Sequence, residues 1–326
     1  MRKFSALIVA AVVAASLAAC SSPTTAADCL TGVASGAAAS LVTATGAVST
    51  DLQAAVAAAP TVDYPTPLFT KGVEKNTLLQ GTGELLQQGD AAEMYVWVYD
   101  GASTTGTPIA SGAAVPRIGA KSVLPFGDLA ECATVGSRIA GTIKTADYPD
   151  LVPANGPGAG DTLVVVIDIT ARYLGKANGV EQIPQAGIPS VVLTPEGRPG
   201  VTIPNEAAPK ESQTAVLKQG DGQVVKDGDM VIANFTALTW AEKEVFATTW
   251  DNSGPVGISV ADFDPTTQGG MVAGLKKAII GQKVGSQVIV VLPPSDGFGD
   301  AAAAAAVGVQ ETDTVVYVFD VLGIQK

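Results

Sequence analysis

Four short stretches of this chain occur twice, in the same order. Leu79-Gln80-Gly81-Thr82-Gly83 returns as Lys218-Gln219-Gly220-Asp221-Gly222, and Gly89-Asp90 returns as Gly228-Asp229. Val135-Gly136-Ser137-Arg138-Ile139 returns as Val284-Gly285-Ser286-Gln287-Val288. The run from Asp161 to Asp168 returns as Asp313 to Asp320. Matches kept in order over so long a period predict two homologous domains. One covers 60–174 and the other 200–326, and 175–199 between them, rich in Gly, Pro and polar residues, reads as a linker.

Each copy shows one pattern: a strand, a Gly-x-Gly turn, a strand closing at Gly-Asp, and then a longer alternating strand (93–99 and 230–238). A loop, a short strand, one short helix and two more strands follow. That order predicts an α+β fold, a twisted antiparallel sheet wrapped on one short helix in each copy. The 36 Gly and 20 Pro suit many short strands and turns. The stretch 269–299 carries the second copy's helix. Met271, Val272 and Leu275 recur at helical spacing, with Lys276 and Lys277 on the other side. Gly281 stops the helix and Gly285 turns the chain. The β-branched run 286–292 suits a strand, which Pro293-Pro294 ends because proline cannot donate to a ladder.

The N-terminus reads as a targeting segment, outside the fold. Arg2 and Lys3 precede an apolar stretch, 6–15, that is too short to span a bilayer. Leu17-Ala18-Ala19-Cys20 looks like a bacterial lipobox. Residues 1–19 are then the signal peptide and Cys20 carries the lipid; 20–59 holds the tether, 21–27, and an N-terminal segment. A plain secretory signal with an incidental Cys20 is the alternative. Two cysteines remain, Cys29 and Cys132. In an exported chain such a pair is expected to form a disulfide, closing a loop of about 100 residues for roughly 4–5 kcal/mol. Two free thiols are the alternative, and the absence of Cys-x-x-Cys argues against a redox pair.

Net charge is −12 with no basic run, which argues against nucleic acid. Histidine is absent, which excludes Ser-His-Asp and Cys-His catalysis and any His-containing metal site. Asp262, Asp264, Asp296 and Asp300 lack the spacing of a calcium loop and read as solvated carboxylates. No metal and no cofactor is expected. Gly81-Thr82-Gly83 and Gly220-Asp221-Gly222 do not lead into helices, so they are not nucleotide loops. Trp240 and Trp250 are candidates for stacking a ligand, with Trp250 beside a pocket rim.

Over roughly 212–324 the second copy resembles the FKBP-type peptidyl-prolyl cis/trans isomerases. Gly228-Asp229 precedes the alternating strand, and Val245-Phe246-Ala247-Thr248-Thr249-Trp250 follows it. Met271-Val272-Ala273-Gly274-Leu275, Val284-Gly285-Ser286, Pro293-Pro294 ahead of Gly297-Phe298-Gly299, and Val318-Phe319-Asp320-Val321 complete the order. The lipoprotein signal with two tandem copies is similar to exported isomerases of actinobacterial type.

The resemblance implies an apolar proline pocket. Phe235, Phe246, Met271, Val272, Leu275, Phe298 and Phe319 would do the catalytic work, and Val256, Ile258 and Trp250 would bind substrate. Read from spacing alone, the first nine of these are core residues of a β-domain. Departures from the family pattern bear on catalysis. Ala247 stands where the family has Asp, Phe298 and Phe235 where it has Tyr, and Leu275 where it often has Trp. A phenylalanine cannot donate to a substrate carbonyl. Each lost hydrogen bond is worth roughly 0.5–1.5 kcal/mol, so weakened catalysis is expected. The alanine run 301–306 falls in the loop that would overhang the pocket and reads as either a short helix or a flap, with no chemistry of its own.

The first copy departs further. Val96 and Ile167 stand at the Phe235 and Phe319 positions, Pro125-Phe126 faces Gly274-Leu275, and Lys144-Thr145-Ala146-Asp147-Tyr148 replaces the Gly-Phe-Gly loop. It reads as a degenerate, non-catalytic FKBP-like domain. The resemblance thus implies a monomeric, lipid-anchored isomerase outside the cell membrane, acting on proline-containing exported client proteins. A non-catalytic chaperone or peptide-binding lipoprotein on the same scaffold is the alternative.

Overall fold

The computed structural model describes residues 32–57, 59–103, 106–119, 124–153, 160–251, 254–267 and 269–325. The signal segment, Cys20, the tether and Cys29 lie outside the described residues, and so do the expected lipid site and the pairing of Cys29 with Cys132.

The N-terminal part contains β1 (Thr43–Thr45), α1 (Leu52–Ala57), β2 (Thr61–Asp63), β3 (Glu74–Leu79), β4 (Ala91–Asp100), β5 (Ala110–Ala114), α2 (Phe126–Ala130), β6 (Arg138–Lys144) and β7 (Thr162–Tyr173). There follow β8 (Val180–Glu181), β9 (Ser190–Leu193), β10 (Pro199–Thr202), β11 (Gln213–Gln219), β12 (Met230–Thr239), β13 (Val245–Thr248) and β14 (Val256–Ser259). The chain ends with α3 (Ala273–Ile279), β15 (Gln287–Leu292), α4 (Ala301–Val307) and β16 (Val315–Ile324).

Two antiparallel sheets dominate. The first has the order β3-β6-β7-β4-β5. The second runs β13-β12-β16-β15-β11-β8, with β14 also on β12. Between β11 and β12 the second therefore repeats the order of the first. Register irregularities repeat too: between Thr77 and Leu79 on β3 and between Val216 and Lys218 on β11. They recur between Glu93 and Met94 on β4 and between Ile232 and Ala233 on β12.

The repeated motifs hold the turns. Gly81 N–H and Gly220 N–H each donate to a buried serine hydroxyl, Ser137 and Ser286, at 2.9 Å. A Cβ on Gly81 would come within 2.5 Å of Ser137 N, and one on Gly220 within 2.6 Å of Ser286 N, so a side chain has no room at either position. Asp90 and Asp229 cap their own turns, accepting from Gln87 N–H and Lys226 N–H at 2.8 Å.

Each sheet is buried on both faces. Helix α2 covers one face of the first sheet, with Leu129 packed among Val96, Ile139 and Ile167. The N-terminal segment covers the other, with Val42, Leu52, Val62 and Leu68 against Tyr95, Trp97 and Val166. On the second sheet α3 covers one face. The other face is covered from 188–208, which includes the β9–β10 hairpin: Val191, Val201 and Ile203 pack against Leu238, Ile289 and Val316. Burial on two sides explains why 163–167 and 288–292 are continuous apolar runs without alternation.

The stretch 175–199 is ordered: β8 pairs with β11, β9 pairs with β10, and Ala177 N–H donates to Asp320 at 3.0 Å. Two expectations are corrected by this architecture. Trp240 stacks on nothing in a pocket; it packs on the back face and donates from Nε1 to the Glu206 carbonyl at 3.0 Å. The second unit carries two helices rather than one. Its alanine run forms α4 because Asp300 accepts from Ala302 N–H and Ala303 N–H at the N-cap, while Gly308 adopts the left-handed conformation at the C-terminal end.

Candidate active site

A cavity of about 580 Å³ opens on the α3 side of the second sheet. Strand β12 brings Phe235, β16 brings Phe319, β13 brings Phe246 and β14 brings Val256 and Ile258. Met271, Val272 and Leu275 line it at the start of α3. Met271 lies before the helix and is bridged to Asp262, Val272 is the N-cap, and Leu275 sits in the first turn.

Phe298 reaches the cavity from the loop after β15. Pro293-Pro294 ends the strand, and its carbonyls then organise the turn: Pro293 O accepts from Gly297 N–H at 3.0 Å, Pro294 O from Gly299 N–H at 2.8 Å. Gly274 N–H, in α3, donates to Asp296 O at 2.9 Å and ties loop to helix. A Cβ on Gly274 would approach Asp296 O to 2.9 Å, so the loop sits where only glycine lets it.

Ring geometry sets the walls. Phe298 is edge-on to Phe246, with centroids 6.4 Å apart and planes at 89°. It is edge-on to Phe263 at 5.5 Å and 87°. Phe235 lies parallel to Phe319 at 6.4 Å and 11°. Strand β13 is pinned next to β12 by a Thr236–Thr248 hydroxyl pair at 3.0 Å and by Thr249 Oγ1, which accepts from Phe235 N–H at 3.0 Å. Thr249 Oγ1 also donates to the buried Asn234 side chain at 3.0 Å.

The nine apolar residues expected at the pocket therefore all line one cavity. Trp250 does not. Its ring lies under the Arg117 guanidinium of the first unit, 5.0 Å from carbon to centroid, and Arg117 also donates to Gly175 O at 2.6 Å. That stacking partner is distant in sequence, which explains the misplacement. The cavity also holds residues the motif order missed. Phe263, on the Asp262–Asp264 stretch, forms a third aromatic wall. Helix α4 contributes Ala306 and Val307. Tyr317 stands edge-on to Phe246, 6.1 Å away at 84°. Two-residue alternation backward from Phe319 would have pointed to it. Burial pushes the Tyr317 phenol well above the usual tyrosine range.

No charged side chain is among the described residues lining the cavity. Among the described lining residues the arrangement offers no charged acid or base, and its side-chain hydroxyls are those of Ser259 and Tyr317. It can hold an apolar ring between aromatic walls and strip water from a peptide bond placed there.

Residues 222–322 match the family described as FKBP-type peptidyl-prolyl cis-trans isomerase. This stretch of the chain is an FKBP-type domain of that isomerase family. The FK506-binding protein of Streptomyces anulatus is 21% identical over 127 residues, which is 39% of this chain and 97% of that protein. Among solved structures, FkpA from Escherichia coli matches at 19% identity over 41% of this chain and 51% of that one, with a TM-score of 0.29. The three FKBP domains of wheat FKBP73 match at 15% identity over 78% of this chain and 94% of theirs, with a TM-score of 0.29.

Proposed function

We propose that this chain catalyses cis/trans isomerisation of X-Pro bonds in exported client proteins, held outside the membrane by a lipid on Cys20. One observation carries the catalytic reading: Phe235, Phe246, Phe298 and Phe319 converge on a cavity that no charged side chain lines among the described residues. The barrier to be lowered is about 18–20 kcal/mol and comes from C–N resonance. Twisting the bond breaks that resonance and shrinks the amide dipole. A planar amide loses more by leaving water than a twisted one does, so a dry apolar site favours the twisted state. Phe235, Phe246, Met271, Val272, Leu275, Phe298 and Phe319 are assigned to the walls, and Val256 and Ile258 to the substrate's flanking residues.

We also propose that the first unit, 60–174, is a diverged copy that spaces or binds clients. The shared strand order and shared irregularities support this. Val96 and Ile167 stand where the second unit has Phe235 and Phe319, and they close into core with Leu129.

The second reading, a non-catalytic peptide-binding lipoprotein, is favoured by Ala247 and Phe298, which supply no polar group to the cavity. Isomerisation of a tetrapeptide with an internal Leu-Pro bond decides between them. Uncatalysed exchange takes tens to hundreds of seconds at 25 °C. Acceleration that scales with the amount of protein supports catalysis. Peptide binding with no acceleration supports the scaffold reading.

A further inference from the structure

Tyr317 is set apart from its surroundings by one feature. Its side chain is 7% exposed, it lines the cavity, and its hydroxyl bonds to none of the described residues. Tyr64 donates to Asp100 O at 3.0 Å, Tyr173 to Glu93 at 3.2 Å, and Tyr95 to Ser111 at 3.4 Å, whereas the Tyr99 hydroxyl is also unpartnered but lies in the closed core under the N-terminal segment rather than at the cavity. The Tyr317 hydroxyl is not among the fully buried unpartnered polar atoms of the described residues, so it keeps access to water at the cavity, where a ligand acceptor can take that water's place.

Packing fixes where that hydroxyl stands. Tyr317 is held between Phe246, edge-on, and Phe235, with centroids 6.0 Å apart. Its backbone pairs with Ala237 on one side and Val290 on the other, in the middle of the sheet. The ring has little freedom, so ordering the hydroxyl costs little on binding. The side chains that share the cavity offer one other hydroxyl, Ser259, and the rest are apolar. A phenol kept protonated by burial is a dependable donor and seeks an acceptor. The acceptors of an X-Pro peptide are its backbone carbonyls, because proline carries no N–H.

We infer that the Tyr317 hydroxyl donates a hydrogen bond to a backbone carbonyl flanking the proline of a bound peptide, and so orients the X-Pro bond between the aromatic walls. Phe235 and Phe298 lack hydroxyls and Ala247 lacks a carboxyl, so Tyr317 is the polar handle left in this cavity among the described residues, apart from Ser259. The inference rests on the isomerase reading and adds a specific donor to it.

The test uses the full chain and a Leu-Pro tetrapeptide labelled with 13C at the leucine and proline carbonyls. Infrared spectra should show one labelled carbonyl shifting to lower frequency on binding wild-type protein, and Tyr317→Phe should abolish that shift. The same variant should bind the peptide roughly two- to twelvefold more weakly, the range one hydrogen bond supplies. Its loss in kcat/KM should come through KM, because an orienting bond made in the ground state acts on binding. An unchanged melting temperature separates this from a packing defect. Peptide affinity and carbonyl frequencies equal to wild type in Tyr317→Phe would overturn the inference while leaving the isomerase reading intact. A wild-type chain that neither binds nor isomerises the peptide would overturn both.

Discussion

Phe246 and Phe298 meet edge to face at 6.4 Å, although one rides on strand β13 and the other on the loop after β15. Two segments far apart in sequence are thus joined through one wall of the cavity. Phe246 is half-buried, and its second neighbour is Tyr317. Replacing it with alanine removes both edge contacts, worth about 0.5–1.5 kcal/mol each beyond area burial. Phe246→Ala should lower kcat/KM for a Leu-Pro peptide by about tenfold or more, while unfolding free energy falls by only about 1–3 kcal/mol. Paired kinetics and urea melts check this. A stability loss with unchanged kinetics would remove Phe246 from the site.

Gly220 and Gly228 are both repeated glycines, but for different reasons. At Gly220 a Cβ would come within 2.6 Å of Ser286 N and 2.7 Å of Gly285 C, so the backbones must separate. At Gly228 a Cβ meets open space, and only φ of +83° disfavours it. Gly228→Ala should cost about 1 kcal/mol, the left-handed penalty of a single residue. Gly220→Ala should cost about 3 kcal/mol or more, since it also disturbs the bond to Ser286. Urea unfolding of the two variants side by side is the measurement, and equal losses would refute the distinction.

Arg138 and Asp168 form a buried two-pronged pair in the first sheet, both bonds 2.6 Å long. Arg138 also donates to the carbonyls of Thr45 and Gly46 at 3.2 and 3.0 Å, tying the N-terminal segment to the sheet. At the matching place in the second sheet Gln287 donates to Asp320 at 2.7 Å. Removing Arg138 leaves a buried carboxyl without its cation. Arg138→Ala should cost about 3–5 kcal/mol, and Arg138→Gln less, because it copies the Gln287 arrangement. Protease digestion should also cut the N-terminal segment earlier in both variants.

The repeated glycines, serines and aspartates were legible as turns because tight turns restrict residue choice most severely. The wall positions were reachable only through the family resemblance, because spacing alone reads Met271, Leu275 and Phe298 as core of a β-domain. Tyr317 and Phe263 lie outside the motifs that carry that resemblance. One lies mid-strand, where an aromatic is ordinary core, and the other lies between two aspartates that read as solvated loop. The cover on the back faces was not legible either. Residues 175–199 are polar and short-stranded, and nothing local says that Ala177 N–H will cap a buried carboxylate. Trp250 failed through a partner, Arg117, that only the fold brings near.

Asp320 is that carboxyl, 2% exposed, and burial raises its pKa to about 6 against the pull of Ala177 N–H and Gln287. An aspartate in the unfolded chain titrates near 3.9. Between these values the folded protein holds a proton that the unfolded chain has released. Stability therefore falls as pH rises from about 4 to about 6 and levels off above that. A shift of about two units corresponds to roughly 3 kcal/mol. Asp320→Asn keeps an oxygen for Ala177 N–H, and Gln287 can turn its amide to present a carbonyl to the new NH₂. Urea unfolding of both proteins at about pH 4 and about pH 7 isolates this group from the other carboxylates. The variant's stability relative to wild type should rise by about 2–3 kcal/mol across that interval. A constant difference would show that Asp320 titrates in the folded protein as it does in the unfolded chain.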